Sequence, residues 1–222
     1  MPPLATGPRV VLLPFAPSDA DEFTAAARAS TGHHHPWLFP PRTRDEYARY
    51  TSRFGDGSGR AGFLVRETAA GAAGAGDAGR IAGFITINNI VGGAFRSGAL
   101  GYGAFAHAVG RGLMREALGL VLSYAFGPAM DLHRLEANIQ PGNTASIALV
   151  RGAGFRLEGY SPDFLFVDGA WRDHERRSTR RDRPPRRLRH RRPAPRTRVR
   201  PPRRSRYARR ARRRLRRRPP AP

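Results

Sequence analysis

Apolar residues recur along this chain in two rhythms, and the change from one to the other outlines the fold. Residues 8–15, Pro-Arg-Val-Val-Leu-Leu-Pro-Phe, form a short apolar run that predicts a first strand, with Pro14 near its end. Ser18 then opens a helix with Asp19, Asp21 and Glu22 in its first turn, where the helix dipole favours acids, and Phe23, Ala26 and Ala27 on one face. His33 to Pro41 holds three prolines and predicts a loop. Thr43-Arg44-Asp45-Glu46 reads as a capping box that starts a second helix, continuing to Arg53. Ala61 to Arg66 and Ile81 to Ile90 predict two strands of a hairpin around the low-complexity stretch 68–79, and Gly98 to Phe105 predicts a fourth strand.

In the second half the period lengthens. Leu113, Ala117, Leu120, Val121 and Tyr124 keep the spacing of one buried helical face, so Gly112 to Phe126 predicts a helix. Leu132 to Ile139 alternates and predicts a strand. Asn143 caps a helix running to Ala153, and Gly154 ends it. Phe155 to Tyr160 follows as a strand, and Phe164–Val167 and Ala170–Glu175 flank Asp168-Gly169, a two-residue hairpin signal. A strand–helix–strand step in the middle demands a parallel pair, which makes the class a mixed α/β sheet with helices on both faces.

Charge divides the chain. The formal net charge is +23, yet residues 177–222 hold 23 arginines and one acid, Asp182, leaving 17 arginines and 16 acids in the first 176. The predicted body, 1–176, is nearly neutral; residues 177–222 form an Arg/Pro-rich segment too poor in apolar residues to offset chain entropy, and disorder is expected there. There is no cysteine, which excludes thiolate chemistry, and no secretory or membrane-spanning pattern, so a cytoplasmic protein without a membrane partner is the expectation.

Gly110-Arg111-Gly112-Leu113 sits between a strand and an apolar-faced helix. Such a turn either meets a steric need for glycine or directs backbone N–H groups and the helix dipole at a phosphate. Arg134, Glu136 and Asn138 share one face of a strand that should be apolar on both, which points to a cleft or to a solvated edge. Ser146, one turn into the helix capped by Asn143, either donates a proton to a leaving group or is a small residue at a helix contact. His33, His34 and His35 are adjacent and cannot all face one ion; they read as a surface loop bordering an acceptor site, with no metal. Trp171 reads as hairpin packing, and Phe15, Phe23 and Phe63 as core.

From Leu100 to Arg176 the chain resembles the RimJ/RimL branch of the GNAT acetyltransferases. The pieces that carry the likeness are Leu100-Gly101-Tyr102, the run Gly110 to Leu118, His133-Arg134-Leu135-Glu136-Ala137-Asn138-Ile139, the run Pro141 to Leu149, Gly154-Phe155, Glu158-Gly159-Tyr160 and Asp168 to His174. Pro36-Trp37-Leu38 is similar as well. The resemblance implies a mostly antiparallel sheet with its parallel pair at the cleft for acetyl-CoA. It also implies direct acetyl transfer to a primary amine, either a protein N-terminal α-amino group or a small amine. On that pattern Val109, Gly110, Arg111, Gly112 and Leu113 line the pyrophosphate. Asn138, Asn143 and Ser146 border the pantetheine arm between the fourth and fifth strands. Ser146 is the candidate acid, Glu136 a candidate water-mediated base, and a backbone N–H of the fourth strand the oxyanion donor. Two departures stand out: His107 replaces the usual Gln or Arg three positions before the first glycine, and Gly103-Ala104-Phe105 replaces a bulkier segment.

For the basic segment two readings remain: an arm that binds nucleic acid through counterion release, which would make the domain a scaffold, or an unselected run of GC-rich codons read out of frame.

Overall fold

The computed structural model describes residues 2–55, 57–68 and 78–181. The expectations for the loop at 68–79 and for the disorder and nucleic-acid binding of the basic segment fall largely or wholly on other residues and lie outside this description.

Eight strands form one sheet in the order β1-β2-β3-β4-β5-β6-β8-β7. They are β1 (Ala5–Thr6), β2 (Val10–Leu13), β3 (Ala61–Thr68), β4 (Ala78–Val91), β5 (Ser97–Ala104), β6 (Arg134–Ile139), β7 (Arg156–Val167) and β8 (Ala170–Arg180). All neighbours are antiparallel except β5 and β6, joined through helix α4 (Leu113–Phe126) as the strand–helix–strand pattern requires. Helix α4 and α5 (Thr144–Gly152) lie on one face. There Leu113, Ala117, Leu118 and Val121 pack on Val10, Phe63, Ile85 and Leu135. The other face is covered by α1 (Ala20–Ala29), the single turn α2 (Thr31–His34) and α3 (Arg44–Thr51), where Phe23 and Tyr47 meet Leu64, Phe84 and Phe105. No helix among the described residues is long and apolar enough to cross a membrane.

Local signals account for the element ends. Thr43 Oγ1 accepts from Glu46 N and Glu46 returns a carboxylate to Thr43 N, the reciprocal cap the sequence predicts. Asp168 and Gly169 both have positive φ, as a tight β7–β8 hairpin requires. The acids at the start of α1 do more than complement a dipole. Asp19 and Glu22 hold Arg66 of β3 at 2.8 Å each, and Glu22 also accepts from Ile81 N, so the helix is fastened to the sheet.

Four predicted outlines change. Phe155–Tyr160 and Phe164–Val167, expected as separate strands, form the single strand β7, irregular between Ser161 and Leu165. The two-residue strand β1 was not anticipated; it is too short to leave a periodic trace and exists by pairing with β2. The loop expected at His33–Pro41 begins with α2, because the prolines come after the turn that holds His33 and His34. The boundary after Arg176 cuts a strand. β8 runs to Arg180 and pairs with β6 from Glu175 to Arg180, burying Arg177, Ser178 and Thr179. Arg181 then donates to Phe126 O and pairs with Asp131.

Candidate active site

β5 and β6 pair over only four residues, Ser97↔Arg134 to Leu100↔Ala137. β5 continues to Ala104 with β4 as its partner, while β6 continues to Ile139 with β8 as its partner. The two strands therefore part, and a cavity of about 700 Å³ opens in the split. Its walls come from β5, β6, the start of α5 and the α2 loop, and the turn before α4 closes one end.

That turn is built for close approach. Gly110 and Gly112 have φ of +75° and +76°, where L side chains are strained, and space is open beside Gly110. Gly112 is the N-cap of α4 and offers no side-chain acceptor, so the first N–H groups of the helix remain available to a ligand. Arg9 holds the turn from behind. Its guanidinium donates to Arg111 O at 2.9 Å and Gly112 O at 3.4 Å, and Glu116 of α4 fixes it at 2.9 Å. Replacing Arg9 with Ala should weaken acetyl-CoA binding about tenfold by releasing these carbonyls, with little change in melting temperature; calorimetric titration measures the first and a thermal scan the second.

The structure brings Val109, Gly110, Gly112, Asn138, Asn143 and Ser146 together on the cavity wall. Asn143 Oδ1 accepts from Ser146 N at 3.1 Å, fixing the first turn of α5. Asn138 Oδ1 is buried without a partner, an acceptor suited to an amide N–H of a bound arm. The side chains of four other candidates stand elsewhere. That of Leu113 is core, while its N–H belongs to the first turn of α4 beside the glycine turn. The Arg111 guanidinium turns to Glu67, which it holds at 2.7 and 2.6 Å and whose pKa it lowers, so only its backbone serves the turn. His107 is off the cavity wall with a buried, unpartnered Nε2; burial pushes its pKa down, and Arg80 adds to the effect. Glu136 is also off the wall, ion-paired to Arg134 at 2.9 Å and accepting from Asn138 Nδ2, so the base role expected of it is not supported by its position.

Other wall residues had no individual role assigned from sequence, apart from His34, which was expected in a surface loop bordering the acceptor site. Arg115 lines the end near the glycine turn and supplies a cation there. Tyr102 lines β5, donates to Ser146 O at 3.4 Å, and is pushed up to about 12 by burial, so it stays protonated. His34 is buried: its Nε2 donates to Ala104 O at 2.7 Å, its Nδ1 is unpartnered, and burial lowers its pKa. The small residue at Gly103 is explained by what covers it, since a Cβ there would sit 2.5 Å from Leu38 Cδ2 and 2.9 Å from the Phe84 ring. His174 of β8 is buried and reaches the cavity wall, and no alternation in the sequence of β8 marks it.

The family profile described as "Acetyltransferase (GNAT) domain" matches residues 9–156. The chain belongs to the GNAT acetyltransferases. This GNAT domain is 40% identical over 94 residues to the [ribosomal protein uS5]-alanine N-acetyltransferase of Escherichia coli, covering 42% of this chain and 48% of that protein. It is 35% identical over 96 residues to the probable N-acetyltransferase YjcK of Bacillus subtilis, covering 43% of this chain and 52% of that protein. The chain thus spans about half the length of both relatives. Among solved structures, RimJ of Mycobacterium smegmatis in complex with CoA-disulfide superposes with a TM-score of 0.69 at 30% identity, covering 81% of this chain and 90% of that one. Acetyl-CoA is the co-substrate of the family.

Proposed function

We propose that this domain transfers the acetyl group of acetyl-CoA to a primary amine, and that the amine is the N-terminal α-amino group of a protein. The carrying observation is the split between β5 and β6 with the glycine turn at one end: it offers backbone groups to an extended arm and N–H donors to its pyrophosphate. The acceptor class rests on the likeness to the uS5-alanine acetyltransferase and to RimJ. Beyond Leu100 the strand β5 has a neighbour on one side only, so its amides toward the split are free to stabilise a thioester oxyanion. Holding amine and thioester together supplies orientation, and no protein nucleophile is required.

Ser146, on the wall at the start of α5, serves as the acid for the thiolate. Ser146→Ala should lower kcat roughly 100-fold and leave the KM for acetyl-CoA within about twofold. An unchanged kcat, with chemistry shown to limit turnover, would return Ser146 to helix packing. The reading as a whole is tested by calorimetric titration with acetyl-CoA, followed by thiol-release assays with peptides bearing free or blocked N-termini. Turnover of the free but not the blocked peptides is expected. Binding without transfer to any peptide, together with turnover of a polyamine, would move the acceptor to a small amine.

A further inference from the structure

Among the described residues no aspartate or glutamate lines the cavity, and Glu136, beside the wall residue Ala137, is held by Arg134. An ammonium group entering the split must still lose a proton before it can attack. Among the described residues the wall side chains that carry a basic nitrogen lone pair are three imidazoles: His33, His34 and His174. His33 is exposed at the mouth. His34 offers Nδ1, but that atom is sealed from solvent and burial favours the neutral ring.

His174 differs from both. It lies on β8, opposite Ser161 of β7, beside the end of β6 where Ile139 pairs with Glu175. Its Nδ1 donates to Arg172 O at 2.8 Å, and the edge of the Phe164 ring packs against it at 6.0 Å between centroids. The ring is thereby fixed in the Nδ1–H tautomer, leaving Nε2 as the lone-pair nitrogen of a residue that is 3% exposed and lines the cavity. The groups around it are few. On its own strand Asp173 accepts from Tyr160 and from Asp163 N, and Glu175 is paired with Arg177. β7 contributes Ser161 and Phe164, the end of β6 contributes Gln140, and His33, His34 and Arg115 share the cavity wall.

We propose that His174 is the proton acceptor for the amine, a role deepening the acetyltransferase reading and resting on it. The bound ammonium gives one proton to Nε2, and the neutral nitrogen forms its bond to the thioester carbon. The C–S bond then breaks, and the second proton leaves nitrogen through the Ser146 hydroxyl to the thiolate. The imidazolium regains its neutral form by releasing its proton to solvent. The carbonyl of Arg172 plays the part that a carboxylate plays toward histidine in other bases: it sets the tautomer and holds the ring.

The test combines kinetics with a measurement that needs no turnover. For wild-type protein, the acid side of the kcat profile should show one limb, fixed as the pKa of the acceptor amine is varied. His174→Gln should lose the fixed limb and lower kcat about 100-fold, with the KM for acetyl-CoA within about twofold. His34→Gln should keep the fixed limb. In ¹⁵N-labelled wild-type protein, with resonances assigned against the His174→Gln spectrum, His174 should be the Nδ1–H tautomer. A His174→Gln variant that keeps the fixed limb and near-normal kcat overturns the proposal, as does an Nε2–H tautomer in the wild type. Failure of wild-type protein to bind acetyl-CoA would overturn the acetyltransferase reading instead, and the tautomer result would still judge the geometry.

Discussion

Gly110→Asp is expected to abolish acetyl-CoA binding while the protein stays folded. The backbone at Gly110 has φ of +75°, a region aspartate tolerates better than most residues, and nothing lies within 4 Å of the added Cβ. The steric and conformational costs are therefore small, and charge dominates. A carboxylate a few ångströms from a pyrophosphate is repelled by about 4 kcal/mol per unit charge at an effective dielectric near 20, more than 100-fold in affinity. The roughly 2.7 kcal/mol of stabilisation that ligand at 100 times its Kd gives the parent should vanish from thermal scans. Gly110→Asn, neutral and of the same shape, should retain most binding. Gly112→Asp should be milder, because its Cβ would lie 3.3 Å from Arg9 Nη2 and the guanidinium would offset the charge. If Gly110→Asp and Gly110→Asn bind acetyl-CoA equally, the turn does not hold the pyrophosphate.

The second large effect concerns where the domain ends. A chain stopping at Arg176 should be unfolded or strongly destabilised, whereas one stopping after Arg181 should melt close to the parent. The shorter chain loses the pairing of Arg177 to Arg180 with Ala137 to Arg134, leaving four of the six residues of β6 unpaired on that side. It also loses the buried Ser178 and Thr179, the Ser178 hydroxyl donated to Glu158, and the Arg181 contacts to Phe126 O and Asp131. At about 1 kcal/mol for each hydrogen bond, roughly 3–6 kcal/mol disappears, a large share of the stability of an ordinary domain. Urea unfolding of the two chains decides the matter. Equal midpoints would mean that β8 beyond Arg176 contributes nothing and that the domain closes at 176, as composition alone suggests.

That boundary shows what the sequence conceals. Arg177-Ser178-Thr179-Arg180 resembles the basic segment after it in composition, and nothing local marks it as a strand; its partner β6 lies forty residues earlier and its status depends on that pairing. Local signals fare better. The α4 apolar face, the Thr43–Glu46 cap and the Asp168-Gly169 turn are each written within a few residues, and each appears where expected. The site divides in the same way. Gly110, Gly112, Asn143 and Ser146 belong to short motifs at helix starts and were legible. Tyr102, Arg115, His34 and His174 meet only because two strands diverge after Leu100, and a divergence leaves no periodic trace. Glu136 shows the opposite limit: its face of β6 is polar, and the structure pairs it with Arg134 and, through Arg134, with Glu158.

The four-residue contact between β5 and β6 also divides the sheet mechanically. β1 to β5 form one block and β6, β8 and β7 another, and the continuous ladder between them is short. Cooperative opening should therefore begin at this seam, making the three-strand block the weaker of two folding units. A molecule whose extended amide chain lay between the diverging ends would act as a temporary ninth strand. It would couple the blocks and convert substrate binding into rigidity of the whole sheet.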